Sequence, residues 1–174
     1  MNTQSVPSLK TISPALPAAH VIASNVASAL AEDIGSGDLS AALIDQQKVI
    51  QARLITREPG VLCGTAWFDE AFRQVDSRIE VDWAINDGDQ LVAGQQLCQI
   101  RGNARGLLTA ERCAMNFLQT LSSTATQAKQ CYQRIAGTSL TLLDTRKTIP
   151  GLRLAQKYAT RCGGFKNHRL GLYD

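Results

Sequence analysis

Two short runs of the chain concentrate groups that could handle an anion. Asp144-Thr145-Arg146-Lys147 closes the apolar run "SLTLLD", and Asn167-His168-Arg169 follows about 20 residues later, behind Gly163-Gly164. Arg146 offers a planar fork that grips a carboxylate or phosphate through two parallel hydrogen bonds, while Lys147 offers a point charge. Thr145 adds a hydroxyl, and Asp144 is expected to orient the arginine or pair with it. The glycine pair permits a close or left-handed backbone turn ahead of the second run. Alone, His168-Arg169 reads as an exposed loop pair. Beside Arg146 and Lys147 it favours a polyanionic ligand.

The charge distribution supports a compact anion rather than a general stickiness. Residues 1–143 hold 11 Lys/Arg against 13 Asp/Glu, whereas residues 144–174 hold 7 against 2, so the positive charge is local. Nucleic acid would also suit such a patch, but only Tyr158, Phe165 and Tyr173 are interleaved as stacking groups, and no nucleic-acid partner is expected. The five cysteines are widely spaced without a CxxC pair and there are two histidines, so reduced, packed thiols are expected rather than zinc or disulfides. No run reaches the roughly 18 apolar residues of a membrane span, and a cytoplasmic location is expected without a membrane partner.

The elements that must position these residues follow from periodicity. Residues 1–19, with three prolines and one lysine, read as a flexible arm. Val21, Ile22, Val26, Ala29 and Leu30 share one face of a helix over 20–34 that Gly35 stops. The segment "EDIGSGDLSAALI" reads as a turn with Asp38 or Ser40 as N-cap, since its acids lack calcium-loop spacing. From 49 to 101, period-two runs alternate around Pro59-Gly60, Asp87-Gly88 and Ala93-Gly94, with a short helix turning Trp67, Phe68, Ala71, Phe72 and Val75 inward. These make an antiparallel sheet covered on one face. "DGDQLVAGQQLCQI" has the spacing of biotin- or lipoyl-carrier hairpins, but no lysine lies between residues 49 and 128 to carry the group. A long helix from about 107 to 136 buries Cys113, Ala114, Phe117, Leu118 and Leu121. It is followed by a buried strand over "SLTLLD" and a helix over "GLRLAQKYATRC", one βα unit of a parallel sheet or barrel. Ligands of such folds sit on the loops beyond the strands' carboxyl ends, where Asp144–Lys147 falls.

"ERCAMNFLQTLSSTAT", "LLDTRKTIPGLRLAQKYA" and "GGFKNHRLGLYD" closely resemble the quinolinate phosphoribosyltransferase family. The resemblance implies an α/β protein in which an N-terminal α/β sandwich domain (20–110) precedes the start of a truncated parallel α/β barrel (111–174). It implies transfer of a phosphoribosyl group from phosphoribosyl pyrophosphate to quinolinate with decarboxylation, giving nicotinate mononucleotide for NAD synthesis. Mg2+ bound with phosphoribosyl pyrophosphate is implied, its ligands expected outside this chain. Carried over by position, Arg146, His168 and Arg169 match the quinolinate pocket, Thr145 a substrate-contacting hydroxyl, and Lys147 a lysine near donor and ring. Arg112 matches an arginine reaching the partner's site in a homodimer, although alone it reads as a solvated helix residue. The chain departs from the family at Phe165, where a third glycine is frequent, and at Ser123, where glycine is common. Since a barrel needs well over 100 residues more, a fragment is expected. The alternatives are a non-enzymatic piece or the paralogue associated with molybdenum transport.

Overall fold

The computed structural model describes residues 14–174, so the expected arm falls largely outside it, and residues 14–18 carry no regular structure. Helix α1 spans Ala19–Ile34 and buries Ile22, Val26 and Leu30, the expected stripe, with Gly35 at its C-terminus. Asp38 rather than Ser40 caps the next turn, its Oδ1 accepting the Ala41 amide at 2.9 Å at the start of a 3-10 turn over Ala41–Leu43.

Strands β1 (Val49–Ile55), β3 (Glu80–Trp83) and β5 (Gln96–Asn103) form an antiparallel sheet in the order β1-β5-β3. Its registers pair Val49 with Asn103 and Glu80 with Arg101. The alternation is clear on β1, where every second residue from Val49 to Ile55 is exposed. β2 (Gly60–Val61) and β4 (Gln90–Leu91) make a separate two-stranded ladder. Helix α2 (Thr65–Val75) covers the sheet with Trp67, Phe68, Ala71 and Phe72 buried as expected and Val75 half-buried. Its N-terminus is capped from a distance: Asp87 accepts the Gly64 and Thr65 amides at 3.0 and 3.2 Å.

Helix α3 (Ala104–Arg134) begins earlier than periodicity suggests. Asn103 accepts the Arg105 and Gly106 amides and so caps a first turn that already buries Ala104 and Leu107. Cys113, Ala114, Phe117, Leu118 and Leu121 lie on its buried face. The same helix satisfies β2: Thr126 Oγ1 accepts the Val61 amide at 2.9 Å, and Ser122 bonds both backbone groups of Cys63. Ser123 is exposed, so the serine standing where glycine is common meets no crowded contact. Helix α4 (Arg153–Cys162) packs back on α3, and its residues Ala155, Tyr158, Ala159 and Cys162 belong to the same hydrophobic cluster as α1 and α2.

The strand expected over "SLTLLD" is not a buried strand. It contributes one parallel bridge, Leu143 to Lys166, with Asp144 N donating to Lys166 O at 3.1 Å and Lys166 N to Leu142 O at 2.9 Å. Leu140 and Leu143 are more than half exposed. A parallel strand needs neighbours on both sides and helices over both faces, and among the described residues this one has a single neighbour.

Asp69 of α2 receives the Trp83 indole N–H at 2.8 Å in a half-buried position. Burial pushes its carboxyl up to about 6 from 3.8, the Trp83 bond opposing and the Asp87 charge assisting. A folded state that holds this proton more tightly than the unfolded chain loses stability as pH rises from about 4 to about 6. Asp69→Asn keeps an acceptor for Trp83 and should flatten that part of the stability profile. At pH 7 it should raise stability by about 1 kcal/mol, discounted for partial exposure, as measured by urea unfolding.

Candidate active site

The site is built around one buried carboxylate. Asp144 is 8% exposed and follows the parallel bridge, so its side chain enters the space between α4 and the segment 166–170. Its Oδ1 accepts the Lys157 ammonium at 2.6 Å and the His168 amide at 2.7 Å. Its Oδ2 accepts Asn167 Nδ2 at 2.6 Å and the Thr160 hydroxyl at 3.4 Å. Four donors thus occupy both oxygens, as a buried charge requires. The Lys157 side chain is 2% exposed and its partner's 4%, so this is a desolvated ion pair. The expectation that Asp144 pairs with Arg146 is therefore corrected. The mid-helix lysine can enter the cleft and Arg146, on the loop, does not reach back.

Asn167 is likewise turned inward, donating to Asp144 and to Lys157 O at 3.0 Å, and serves the scaffold rather than the mouth. His168 and Arg169 are exposed on the same segment, held beside the 144–147 loop by the Asp144 contacts. Thr145 turns its hydroxyl to accept the Lys147 amide at 3.0 Å, bending the chain away from strand geometry. Thr145 and Lys147 line a cleft with Thr148, Lys157 and Thr160, and Arg146 is not one of its walls. Arg146 forms no ion pair among the described residues, and its Nε is buried without a hydrogen-bond partner. Arg112 is not brought into this group. It lines another cleft, beside Asp33, Asp38 and Asn116, where the Ala41 amide and then the Thr109 hydroxyl hold the Asp38 carboxyl below its ordinary value.

The glycine pair does what each glycine alone can do. A Cβ on Gly163 would lie 2.5 Å from Ala125 O and from Ala128 Cβ of α3, so the chain passes too close for any side chain. Gly164 has φ +102°, in the left-handed region, against the Tyr132 ring. Phe165 then turns into a shallow groove with Thr124, Gln127 and Thr160. The thiols stay out of the chemistry: burial pushes Cys63 far up, Cys98 up to about 12 and Cys113 up to about 11. No group of three or more His, Cys, Asp or Glu positioned for a metal occurs among the described residues.

Residue-by-residue reading missed Lys157 and its neighbours on α4. The signal is a polar stripe at 153, 156, 157 and 160 in a helix otherwise lined by Ala155, Tyr158, Ala159 and Cys162. All four stripe residues hold the loops: Arg153 reaches Thr148 and Leu170, and Gln156 accepts the Ile149 amide at 2.8 Å. Lys157→Met should strand the Asp144 charge and lower stability by about 3–5 kcal/mol in chemical unfolding. Adding Asp144→Asn to that variant should recover a good part of the loss.

Residues 38–122 match the family model described as quinolinate phosphoribosyl transferase, N-terminal domain, and residues 124–174 match the C-terminal domain of the same family. A probable carboxylating nicotinate-nucleotide pyrophosphorylase of Bacillus subtilis is 38% identical over 143 residues, 82% of this chain and 50% of that protein. The decarboxylating quinolinate phosphoribosyltransferase 1b of Nicotiana tabacum is 40% identical over 148 residues, 84% of this chain and 42% of that protein. The solved nicotinate-nucleotide pyrophosphorylase of Francisella tularensis superposes with TM-score 0.88 at 42% identity, over 95% of this chain and 59% of that one. The chain thus spans about half the length of the curated relatives it matches.

Proposed function

The chain belongs to the quinolinate phosphoribosyltransferase family, and on that premise we propose that the protein transfers the phosphoribosyl group of phosphoribosyl pyrophosphate to quinolinate and releases carbon dioxide. The observation that carries this reading is the placement of cations on the two segments that the Leu143–Lys166 bridge joins. Arg146, with a buried and unpartnered Nε, stands on one segment, and Arg169, with His168, stands on the other. Quinolinate is a vicinal dicarboxylate, and two guanidinium forks on adjacent segments can fix its ring in one orientation.

In the proposed reaction the pyridine nitrogen attacks the anomeric carbon of the ribose as the bond to pyrophosphate breaks. Lys147, exposed at the cleft edge, offsets charge gathering on the departing oxygens. The ring nitrogen, now quaternary, stabilises the carbanion left when the adjacent carboxylate departs as carbon dioxide. A proton on that carbon completes nicotinate mononucleotide. Thr145 acts here as a substrate-contacting hydroxyl, and Arg112 completes the site of a partner subunit in a homodimer, which fits its place in a separate cleft. Mg2+ accompanying the donor would draw its ligands from outside the described residues, which hold no group of three or more His, Cys, Asp or Glu placed for a metal and in Asp144 a carboxylate already occupied. No described helix is long and apolar enough to cross a membrane.

The test is release of labelled carbon dioxide from carboxyl-labelled quinolinate by the protein as its gene encodes it. Release should require phosphoribosyl pyrophosphate and yield one pyrophosphate per carbon dioxide. Arg146→Ala should lower kcat/KM about 100-fold or more. Release without the donor, or an undiminished Arg146→Ala protein, would contradict the proposal.

A further inference from the structure

Of the three cations on helix α4, Arg153 and Lys157 lie one turn apart and their side chains share a face. Each bridges the same two segments. Lys157 Nζ joins Asp144 Oδ1 to the His168 carbonyl, at 2.6 and 2.7 Å. Arg153 joins Thr148 Oγ1 to the Leu170 carbonyl, through Nε at 3.3 Å and Nη1 at 3.2 Å. The residue between the two gripped carbonyls is Arg169.

The His168 and Leu170 amides are held too. The His168 amide donates to Asp144 Oδ1 at 2.7 Å, and the Leu170 amide donates to Asp174 Oδ2 at 2.7 Å. The peptide plane before Arg169 is therefore fixed through the His168 carbonyl and the plane after it through the Leu170 amide. Those planes set φ and ψ of Arg169, and hence the direction in which its side chain leaves the backbone. The side chain itself is exposed and makes no ion pair among the described residues. An exposed loop arginine would ordinarily lose backbone entropy when it grips a ligand, and here the contacts on both sides of it supply part of that ordering beforehand. A held backbone under an unengaged guanidinium is the arrangement of a preorganised ligand-binding group, not of a solubilising one.

We propose that Arg153 and Lys157 are positioning residues for Arg169, fixing its distance from Arg146 so that the two forks match the two carboxylates of a vicinal dicarboxylate. This rests on the reaction proposed above. Neither side chain touches the substrate. Both act through the 168–170 peptide, and they select for the spacing of the carboxylates rather than for charge alone.

Steady-state kinetics of Arg153→Met tests this, since that residue is only half-buried and lies at the first position of α4. The KM for quinolinate should rise about tenfold while kcat stays within about threefold and the KM for phosphoribosyl pyrophosphate within about twofold. Arg153→Lys, which keeps one donor for the Leu170 carbonyl, should restore part of the loss. Because Lys157→Met alone strands a charge, its kinetic test is the Asp144→Asn/Lys157→Met double variant, with the same split expected. Hydrogen exchange at the His168 and Leu170 amides needs no turnover and should be about tenfold faster in Arg153→Met. A wild-type protein that does not turn over quinolinate contradicts the reaction, whatever the exchange shows. An active wild type whose Arg153→Met variant keeps its quinolinate KM contradicts the positioning role alone. So does unchanged exchange at both amides.

Discussion

The arrangement of the cationic site depends on one interaction, the buried pair of Asp144 and Lys157. A desolvated carboxylate is costly unless every lone pair is met, and each group that meets this one belongs to a piece the site needs in place. Lys157 and Thr160 bring α4, and Asn167 and the His168 amide bring the second cationic segment. The Asp144 backbone brings the first through its bridge to Lys166. A pair of this kind is weak evidence for net stability. Its value lies in geometry, since few other arrangements of these segments satisfy both charges.

The N-terminal elements hold the other side of the same helix. Asp87 caps α2 and also accepts the Tyr158 hydroxyl at 2.9 Å, so one carboxylate ties the sandwich to the middle of α4. Burial and the Asp87 charge push the Tyr158 hydroxyl far up, which keeps it a donor across the physiological range. Trp67 lies 5.8 Å from the Tyr158 ring and donates to Asn25, which in turn reaches the Gly151 carbonyl at the start of the α4 turn. The sheet and its helices therefore serve the site by fixing α4, although none of their side chains enters the group around Asp144.

Much of this could be read along the chain, because burial leaves a period. The stripes of α1 and α2, the long apolar face of α3 and the alternation of β1 lie on the residues their spacing indicates. Gly163 and Gly164 also acted as read, one for a close approach and one for a left-handed turn. Three things were not legible. The run "SLTLLD" is apolar enough for a strand, but a strand exists only through neighbours, and composition does not count them. The α3 start rests on Asn103, whose cap is a side-chain bond to the Arg105 and Gly106 amides and not a matter of hydrophobic period. The partner of Asp144 lies 13 residues away on another element, so proximity along the chain pointed to Arg146 and the fold chose Lys157. Arg112 shows the same limit, because its cleft lies apart from the cluster and the role proposed for it rests on kinship alone.

On this reading a carboxylate that touches no ligand, Asp144, holds the two cationic segments in ligand-binding register. Calorimetric titration of the wild type and of Asp144→Asn with quinolinate tests it most directly, with circular dichroism confirming that both are folded. The wild type should bind, and Asp144→Asn should bind at least about tenfold more weakly, although Arg146, Lys147, His168 and Arg169 are unchanged. A folded Asp144→Asn protein that binds quinolinate as the wild type does would contradict it.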